Sequence, residues 1–159
     1  MVRDMTGRHL NYYEATLQLR EVSLEIIKFA ENEIKKNKIH VAKFTEVTKG
    51  YDFQLADGKF AQNLGKKIQQ KFGGKVLTTA ALFSKRDGHD IYRLTVLFRG
   101  VPYTRNEQVL YKGEEHTVIA IGKEIVLQNI LTKKKIHVKY REMNLIKKKC
   151  NLNSSYVQK

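Results

Sequence analysis

The segment from Tyr12 to Arg20 reads YYEATLQLR, in which apolar and polar residues alternate. Successive side chains of an extended strand point to opposite faces, so a period of two turns one set of side chains toward a core and the other toward solvent. The apolar set consists of Tyr13, Ala15, Leu17 and Leu19. We predict a half-buried strand here, and any fold of this chain has to cover one of its faces.

Two amphipathic helices are predicted downstream of this strand. Ser23 is a candidate N-cap for the first helix, and the Gly73-Gly74 pair ends the second. The apolar stripes comprise Leu24, Ile27, Ala30 and Ile34 in the first helix and Phe60, Leu64, Ile68 and Phe72 in the second. Each helix therefore has one face that fits a core.

Four further segments are typical of strands, since their apolar residues alternate and turn residues bound them. They are Ile39–Val47, Tyr51–Leu55, Val76–Phe83 and Ile91–Arg99. Because these strands come as hairpins and not as strand-helix-strand crossovers, they favour an antiparallel sheet with two helices on one face. We predict an α+β domain over residues 12–100, preceded by a flexible lead-in over residues 1–11.

The character of the sequence changes at Pro102, the only proline of the chain, where purely short β-rich pieces begin. These pieces lie at residues 109–111, 117–121, 125–127 and 136–140. Such spacing predicts a small all-β barrel over residues 101–147. Residues 148–159 are too polar to pack and are expected to form a frayed basic tail.

The charge balance indicates a polyanionic partner. The chain of 159 residues carries 30 Lys and Arg against 16 Asp and Glu, a formal net charge of +14. RNA or DNA fits such a surface, whereas the absence of a long apolar run argues against membrane attachment. The single cysteine, Cys150, cannot form an internal disulfide and favours a reducing, cytoplasmic compartment.

No residue pattern supports catalysis or metal binding. The five histidines stand singly, without a His-x-x-x-His arrangement, and the cluster Asp87-Gly88-His89-Asp90 is explained by the residues that a tight hairpin turn requires. Nucleophile elbows, Walker loops and dinucleotide glycine patterns are absent from the sequence. We predict no enzymatic activity, no metal and no cofactor.

Candidate RNA-binding residues are one glutamine and the cations on the predicted outer sheet face, on the second helix, in the hairpin turns and in the barrel. They are Gln18, Arg20, Lys66, Lys67, Lys71, Lys85, Arg86, Arg93, Arg99, Lys133, Lys134, Lys135, Lys139 and Arg141. A polar sheet face with arginines is one way to engage RNA, but a solvated face explains the sheet residues equally well. Lysine runs at turns also serve solubility.

Four segments, in this order, carry a resemblance to a known family: YYEATLQLR, GYDFQLADGKFAQNLGKKIQQKFGGKV, YRLTVLFR and QVLYKGEEHTVIAIGKEIVLQN. They resemble the export adaptor family of the large (60S) ribosomal subunit that is named for nonsense-mediated decay protein three. In that family a tyrosine-rich strand ending in Gln-x-Arg leads into the first helix, and a Gly-x-Asp-Phe strand precedes an Ala-x-x-Leu helix. The similarity covers roughly residues 11–146.

The resemblance implies a factor that binds the joining face of the large ribosomal subunit. Family members pair a ribosomal-protein-like α+β domain with an SH3-like (Src-homology-three-like) barrel similar to the first domain of the hypusine-bearing translation factor. They occupy the tRNA sites of an immature subunit, which implies rRNA and a stalk ribosomal protein as partners and a monomeric state.

One feature departs from the family. Its members carry cysteine-rich zinc knuckles ahead of the tyrosine strand, and residues 1–11 contain no cysteine. We therefore expect a short, archaeal-like form, in which contact with an anti-association factor requires a zinc region supplied elsewhere.

Three hypotheses follow for the function. The first is a non-enzymatic factor of large-subunit biogenesis that binds rRNA and assists maturation or holds the subunit inactive. The alternative is a translation or hibernation factor that acts on mature ribosomes through the same surfaces. An RNA-processing enzyme would need a catalytic constellation that the sequence does not offer.

Overall fold

The computed structural model describes residues 9–149 of the chain. Its helices and strands are, in order, β1 (Ala15–Arg20), α1 (Leu24–Lys36), β2 (Val41–Val47), β3 (Gly50–Leu55), α2 (Gly58–Phe72), β4 (Lys75–Arg86), β5 (His89–Arg99), β6 (Gln108–Tyr111), β7 (Glu114–Ile121), β8 (Ile125–Asn129), β9 (Lys135–Val138), a 3-10 helix (Tyr140–Leu145) and β10 (Ile146–Lys148). They form two units, which divide between Val101 and Pro102.

The first unit is a five-stranded sheet in the order β2-β3-β1-β5-β4, with β1 in the centre. β1 runs antiparallel to β3 but parallel to β5, in a register that aligns Leu17 with both Phe53 and Val96. The predicted purely antiparallel sheet is therefore wrong in this one pairing, and the sheet is mixed. Two helices and a hairpin separate β1 from β5 in the chain, so no tight turn forces these two strands to be antiparallel.

The start of β1 also differs from the prediction. The strand begins at Ala15, and the Glu14 carboxylate accepts a 2.9 Å hydrogen bond from the backbone N–H of Gly58 at the start of α2. Tyr13 was predicted to share the apolar face of Leu17, but its ring instead lies against the guanidinium of Arg93. The alternation of the sequence thus begins two residues before the strand itself begins.

Helix α1 packs on the sheet with the predicted face, except at its first residue. The Ser23 hydroxyl accepts from the backbone N–H of Ile26 at 3.4 Å, as an N-cap does. The buried residues are Ile26, Ile27, Ala30 and Ile34, whereas Leu24 is 64% exposed. The predicted Ile27, Ala30 and Ile34 are thus buried, and Ile26, which repeats with Ala30 and Ile34 every four residues, takes the place of Leu24.

Helix α2 packs on the same core as α1. Asp57 caps it through a 3.0 Å hydrogen bond from Phe60 N–H, and Leu64 and Ile68 are buried as predicted. Gly65 marks the closest approach of the helix to β5, since a Cβ added there would lie 2.8 Å from Cγ1 of Val96. The predicted α+β class with two helices on a shared core is confirmed.

The β4-β5 hairpin is longer than the sequence predicted. Its strands pair from Lys75 with Arg99 out to Arg86 with His89, and both turn residues, Asp87 and Gly88, have positive φ. β1 pairs with β5 only along residues 94–99. The distal part of the hairpin therefore extends beyond the pairing with β1.

The second unit is a five-stranded antiparallel sheet in the order β10-β6-β7-β8-β9. Its buried residues include Val109, Val118, Ile125, Leu127 and Val138. Within residues 9–149 the pairings leave β9 and β10 at the two edges, so the predicted closed barrel is not confirmed.

Strand β10 also corrects the predicted tail. Ile146 pairs with Tyr111 and Lys148 with Val109, so Lys148 belongs to the sheet and not to a frayed segment. The three residues of this strand, Ile-Lys-Lys, have no pattern that predicts a strand, and the ladder with β6 specifies it. Residues 150–159 of the predicted tail and residues 1–8 of the predicted lead-in lie outside the described part.

The contact between Gly65 and Val96 yields a first prediction. Gly65→Leu is expected to lower the free energy of unfolding by roughly 2 kcal/mol, because the added side chain overpacks the interface of α2 with β5 by more than the loss of a helical glycine stabilises it. Asn63→Leu, on the exposed side of the same helix, is the matched control and should change stability by less than about 0.5 kcal/mol. Urea unfolding of the two variants measures the difference, and equal stabilities would contradict it.

A second prediction concerns the ion pair that joins the two helices. Lys67 Nζ lies 2.8 Å from Glu33 Oε2, and this hydrogen bond holds the pKa of Glu33 below its ordinary value of 4.5. Since the pKa is lowered in the folded state, the stabilisation is present above the ordinary pKa and is lost as the pH falls through the folded-state value. Lys67→Gln should raise the pKa of Glu33.

The same variant should reduce stability at pH 7 by less than about 1 kcal/mol, since Lys67 is largely exposed, and this difference should vanish in acid. Lys66→Gln, one residue away, is the control and should change neither quantity. Side-chain carboxyl NMR titration and urea unfolding at both pH values measure the two effects. An unchanged pKa of Glu33 in Lys67→Gln would refute the prediction.

Candidate nucleic-acid interface

The first unit has one sheet face that the helices do not cover. Leu17 and Leu19 of β1 point into the core with α1 and α2, so the alternate residues Thr16, Gln18 and Arg20 point to the other face. We call this second side the outer face. On β1 it carries the polar residues that the alternation of the sequence predicted.

A row of three cations crosses the outer face at one end. In the register of the sheet Arg20 lies beside Arg99, and Arg99 lies beside Lys75, so the three residues stand on neighbouring strands. Neighbouring strands are about 5 Å apart, a spacing at which several cations can contact one phosphate backbone. The sheet thus brings together residues that are far apart in the sequence.

The members of this row differ in how far the protein itself engages them. Arg20 is one fifth exposed, pairs with Asp52 at 2.8 Å and donates to the carbonyl of Tyr51 at 3.2 Å. Arg99 is 43% exposed and contacts Glu21 at 3.5 Å. Arg20 is therefore held by two residues of β3, whereas the side chain of Arg99 is more accessible to a ligand.

Arg93 lies at the opposite end of the outer face. Its guanidinium carbon is 3.9 Å from the ring centre of Tyr13 and 3.4 Å from that of Phe83, and it donates to the Tyr13 carbonyl at 3.3 Å. Two aromatic rings thus fix this arginine, and Gln18 lies between it and the cationic row. The predicted sheet residues share one face but form two separate clusters.

The lysines of α2 lie on the helical side of the unit, away from the outer face. Lys67 pairs with Glu33, and Lys71 Nζ lies 4.5 Å from the ring centre of Phe29 on α1. Both side chains therefore join the two helices. Lys66 is exposed and is not part of this link.

The predicted cations of the hairpin are exposed near its turn. Lys85 is 72% exposed in its side chain and approaches Asp90 at 3.8 Å, a distance that is long for an ion pair. Arg86 pairs in the ladder with His89, next to the Asp87-Gly88 turn. These residues flank the aromatic cluster around Arg93.

In the second unit, Lys133, Lys134 and Lys135 are exposed between β8 and β9. The buried Asn129 shapes this turn, since its side-chain oxygen accepts from the backbone N–H groups of Leu131 and Thr132 at 2.8 and 3.0 Å. Lys139 and Arg141 are exposed on either side of the buried Tyr140. A well-formed turn thus presents the predicted lysine cluster to solvent.

The aromatic cluster of Tyr13, Phe83 and Arg93 was missed in the sequence. Phe83 stands at a register shift between Leu82 and Ser84, where β4 bulges. A bulge alters the alternation and re-aims a side chain, so a period of two misplaces Phe83. The adjacent apolar pair Leu82-Phe83 near a turn was the available signal.

Two further findings bear on the class of site. Within residues 9–149 there is no group of three or more His, Cys, Asp or Glu side chains that would hold a metal ion. None of the helices in this described part has the length and apolar character needed to cross a membrane.

Comparison with known proteins identifies the family. A search of curated proteins returned no match to the chain. A family model described as NMD3, second domain, matches residues 12–99, which include all five strands and both helices of the first unit. The resemblance noted in the sequence is confirmed over this range, which is more than half of the chain, and the chain belongs to the NMD3 family.

Proposed function

We propose that this protein is a non-enzymatic factor of ribosome biogenesis that binds large-subunit rRNA at the subunit joining face, in the region of the tRNA sites. It assists maturation or holds the subunit inactive until it leaves. It acts in the cytoplasm as a monomer, and a stalk ribosomal protein is a further contact.

The family match carries this proposal. Membership of the NMD3 family associates the chain with biogenesis and export of the large subunit, and the matched range is the unit that bears the outer face. The finer points, namely the joining face and the stalk, rest on the wider resemblance of the sequence.

Charge and geometry support RNA as the direct ligand. Residues 1–100 hold 18 Lys and Arg against 11 Asp and Glu, and residues 101–159 hold 12 against 5, so both parts of the chain are strongly basic. The first unit adds a row of cations on an uncovered sheet face, and the second adds an exposed lysine turn. Such phosphate contacts supply affinity without reading base sequence.

Co-sedimentation with purified large subunits tests the proposal. We expect the protein to pellet with free subunits, and its affinity should fall by at least about tenfold between about 50 and 200 mM salt as bound counterions are released. Failure to pellet even at low salt would refute the proposal. Equal or tighter binding to mature ribosomes would favour the alternative, a translation or hibernation factor.

Charge reversal separates the contributions of the two units. Lys75→Glu with Arg99→Glu should weaken subunit binding and lower the slope of log affinity against log salt by about one for each phosphate contact removed. Lys28→Glu with Lys59→Glu, on exposed positions of α1 and α2, changes the net charge equally and should have a smaller effect.

The same comparison applies to the second unit. Lys134→Glu with Lys135→Glu should weaken binding more than Arg105→Glu with Lys123→Glu, all four positions being exposed. Lys133 is left unchanged because its φ of 63° belongs to the geometry of the turn. If each pair of variants binds like its control, net charge alone explains the affinity, and the outer face and the lysine turn are not binding surfaces.

A further inference from the structure

The distal part of the β4-β5 hairpin borders a groove that the charge analysis does not explain. β5 leaves its partner β1 at Leu94 but continues to pair with β4, so this part of the hairpin stands beside the residues that lead into β1. A groove of about 940 Å³ lies here, and its lining includes Tyr12, Tyr13, Phe83 and Tyr92. Its volume is within the range of sites that hold small-molecule ligands.

Exposed aromatic rings line this groove. Phe83 is 54% exposed and Tyr92 is 53% exposed, although rings of this size are usually more buried. Phe83 stands at the bulge of β4 and contacts Arg93, and Tyr92 is the neighbour of Arg93 in β5. Two half-exposed rings are therefore carried by one two-stranded element.

Arg93 fixes the position of Phe83 in this groove. Its guanidinium lies between the rings of Tyr13 and Phe83 and donates to both the carbonyl and the hydroxyl oxygen of Tyr13, at 3.3 and 3.2 Å. One side of Phe83 is thus occupied by the guanidinium. Its exposed surface is free to stack against a planar ligand without a large loss of side-chain entropy.

The charges of the groove select an anionic ligand. Its lining includes Lys85, Arg86 and Arg93 against a single carboxylate, Glu14, which already accepts from the backbone of Gly58. Asp90 reaches Lys85 only at 3.8 Å and the Tyr92 hydroxyl at 3.5 Å, so it does not hold either of them tightly. The rim is therefore cationic, and the walls are aromatic.

We propose that this groove binds an unpaired segment of RNA, with bases stacked on Phe83 and Tyr92 and phosphates contacted by Lys85 and Arg86. Unpaired bases expose the planar faces that aromatic side chains bind, whereas the stacked bases of a duplex do not. An acidic peptide would use the cations but not the open ring faces. This inference rests on the proposed function, in which rRNA is the ligand, and it assigns the class of RNA structure that one surface recognises.

The test measures binding of the full chain to a fluorescently labelled single-stranded oligoadenosine of twelve nucleotides, at low salt. The comparison ligand is a twelve-base-pair RNA duplex of mixed sequence. The wild-type protein should bind the single strand more tightly than the duplex, and Phe83→Ala should bind the single strand about tenfold more weakly, as loss of one stacked base predicts. Phe83→Trp keeps a stacking face and should retain the affinity.

Phe44→Ala is the matched control. Phe44 is 48% exposed on β2, at the other edge of the same sheet, and packs on Tyr51 and Phe53 and not beside the groove. Its removal should leave oligoadenosine binding unchanged. Thermal unfolding of each variant checks that it is folded, and Tyr92→Ala provides a second, independent change on the groove if Phe83→Ala is unstable.

The outcomes separate this inference from the proposed function. Three outcomes would each overturn the groove assignment. The first is that wild type, Phe83→Ala and Tyr92→Ala bind oligoadenosine with equal affinity. The others are that wild type binds the duplex more tightly than the single strand, or binds a poly-glutamate peptide as tightly as oligoadenosine. Co-sedimentation with large subunits would still stand in these cases. Conversely, oligoadenosine binding that depends on Phe83 with no pelleting of subunits would overturn the proposed function and keep the groove.

Discussion

The structure of the first unit depends on the double pairing of β1. Leu17 is aligned with Phe53 on one side and with Val96 on the other, and Leu19 is aligned with Phe98. Both leucines are fully buried, and each such burial stabilises the fold by about 1.5 to 3 kcal/mol. Because a shift of one residue would turn these side chains to the outer face, the core and the outer face are set by the same register.

That register explains how a binding surface arises from dispersed residues. Arg20, Arg99 and Lys75 come from three strands and form a row only because β5 lies between β1 and β4. The aromatic groove depends on a different feature, namely that the β4-β5 pairing continues after β1 has ended. The row of Arg20, Arg99 and Lys75 and the groove with its rings and cations thus lie at opposite ends of one sheet.

Local patterns predicted those elements whose side chains follow one period. The row of Leu64 and Ile68 on α2 is sufficient, since helical spacing is a property of neighbouring residues. The stripe of α1 was predicted correctly at Ile27, Ala30 and Ile34 but not at Leu24, because Leu24 and Ile26 are both apolar and only packing selects Ile26. Strand β10 was missed because its ladder with β6 specifies it, while its own sequence is mostly lysine.

The sequence by itself determined the α+β class of the first unit, the strong positive charge and the family, since each of these depends on composition, period or residue order. Only the tertiary structure decided that β1 and β5 are parallel, that Lys67 pairs with Glu33 and that Tyr13, Arg93 and Phe83 form one cluster. Except for Phe83 and Arg93, which the bulged hairpin brings together, these contacts join residues that are more than 30 positions apart. A local pattern carries no information on which distant partner a strand edge, a lysine or a ring will meet.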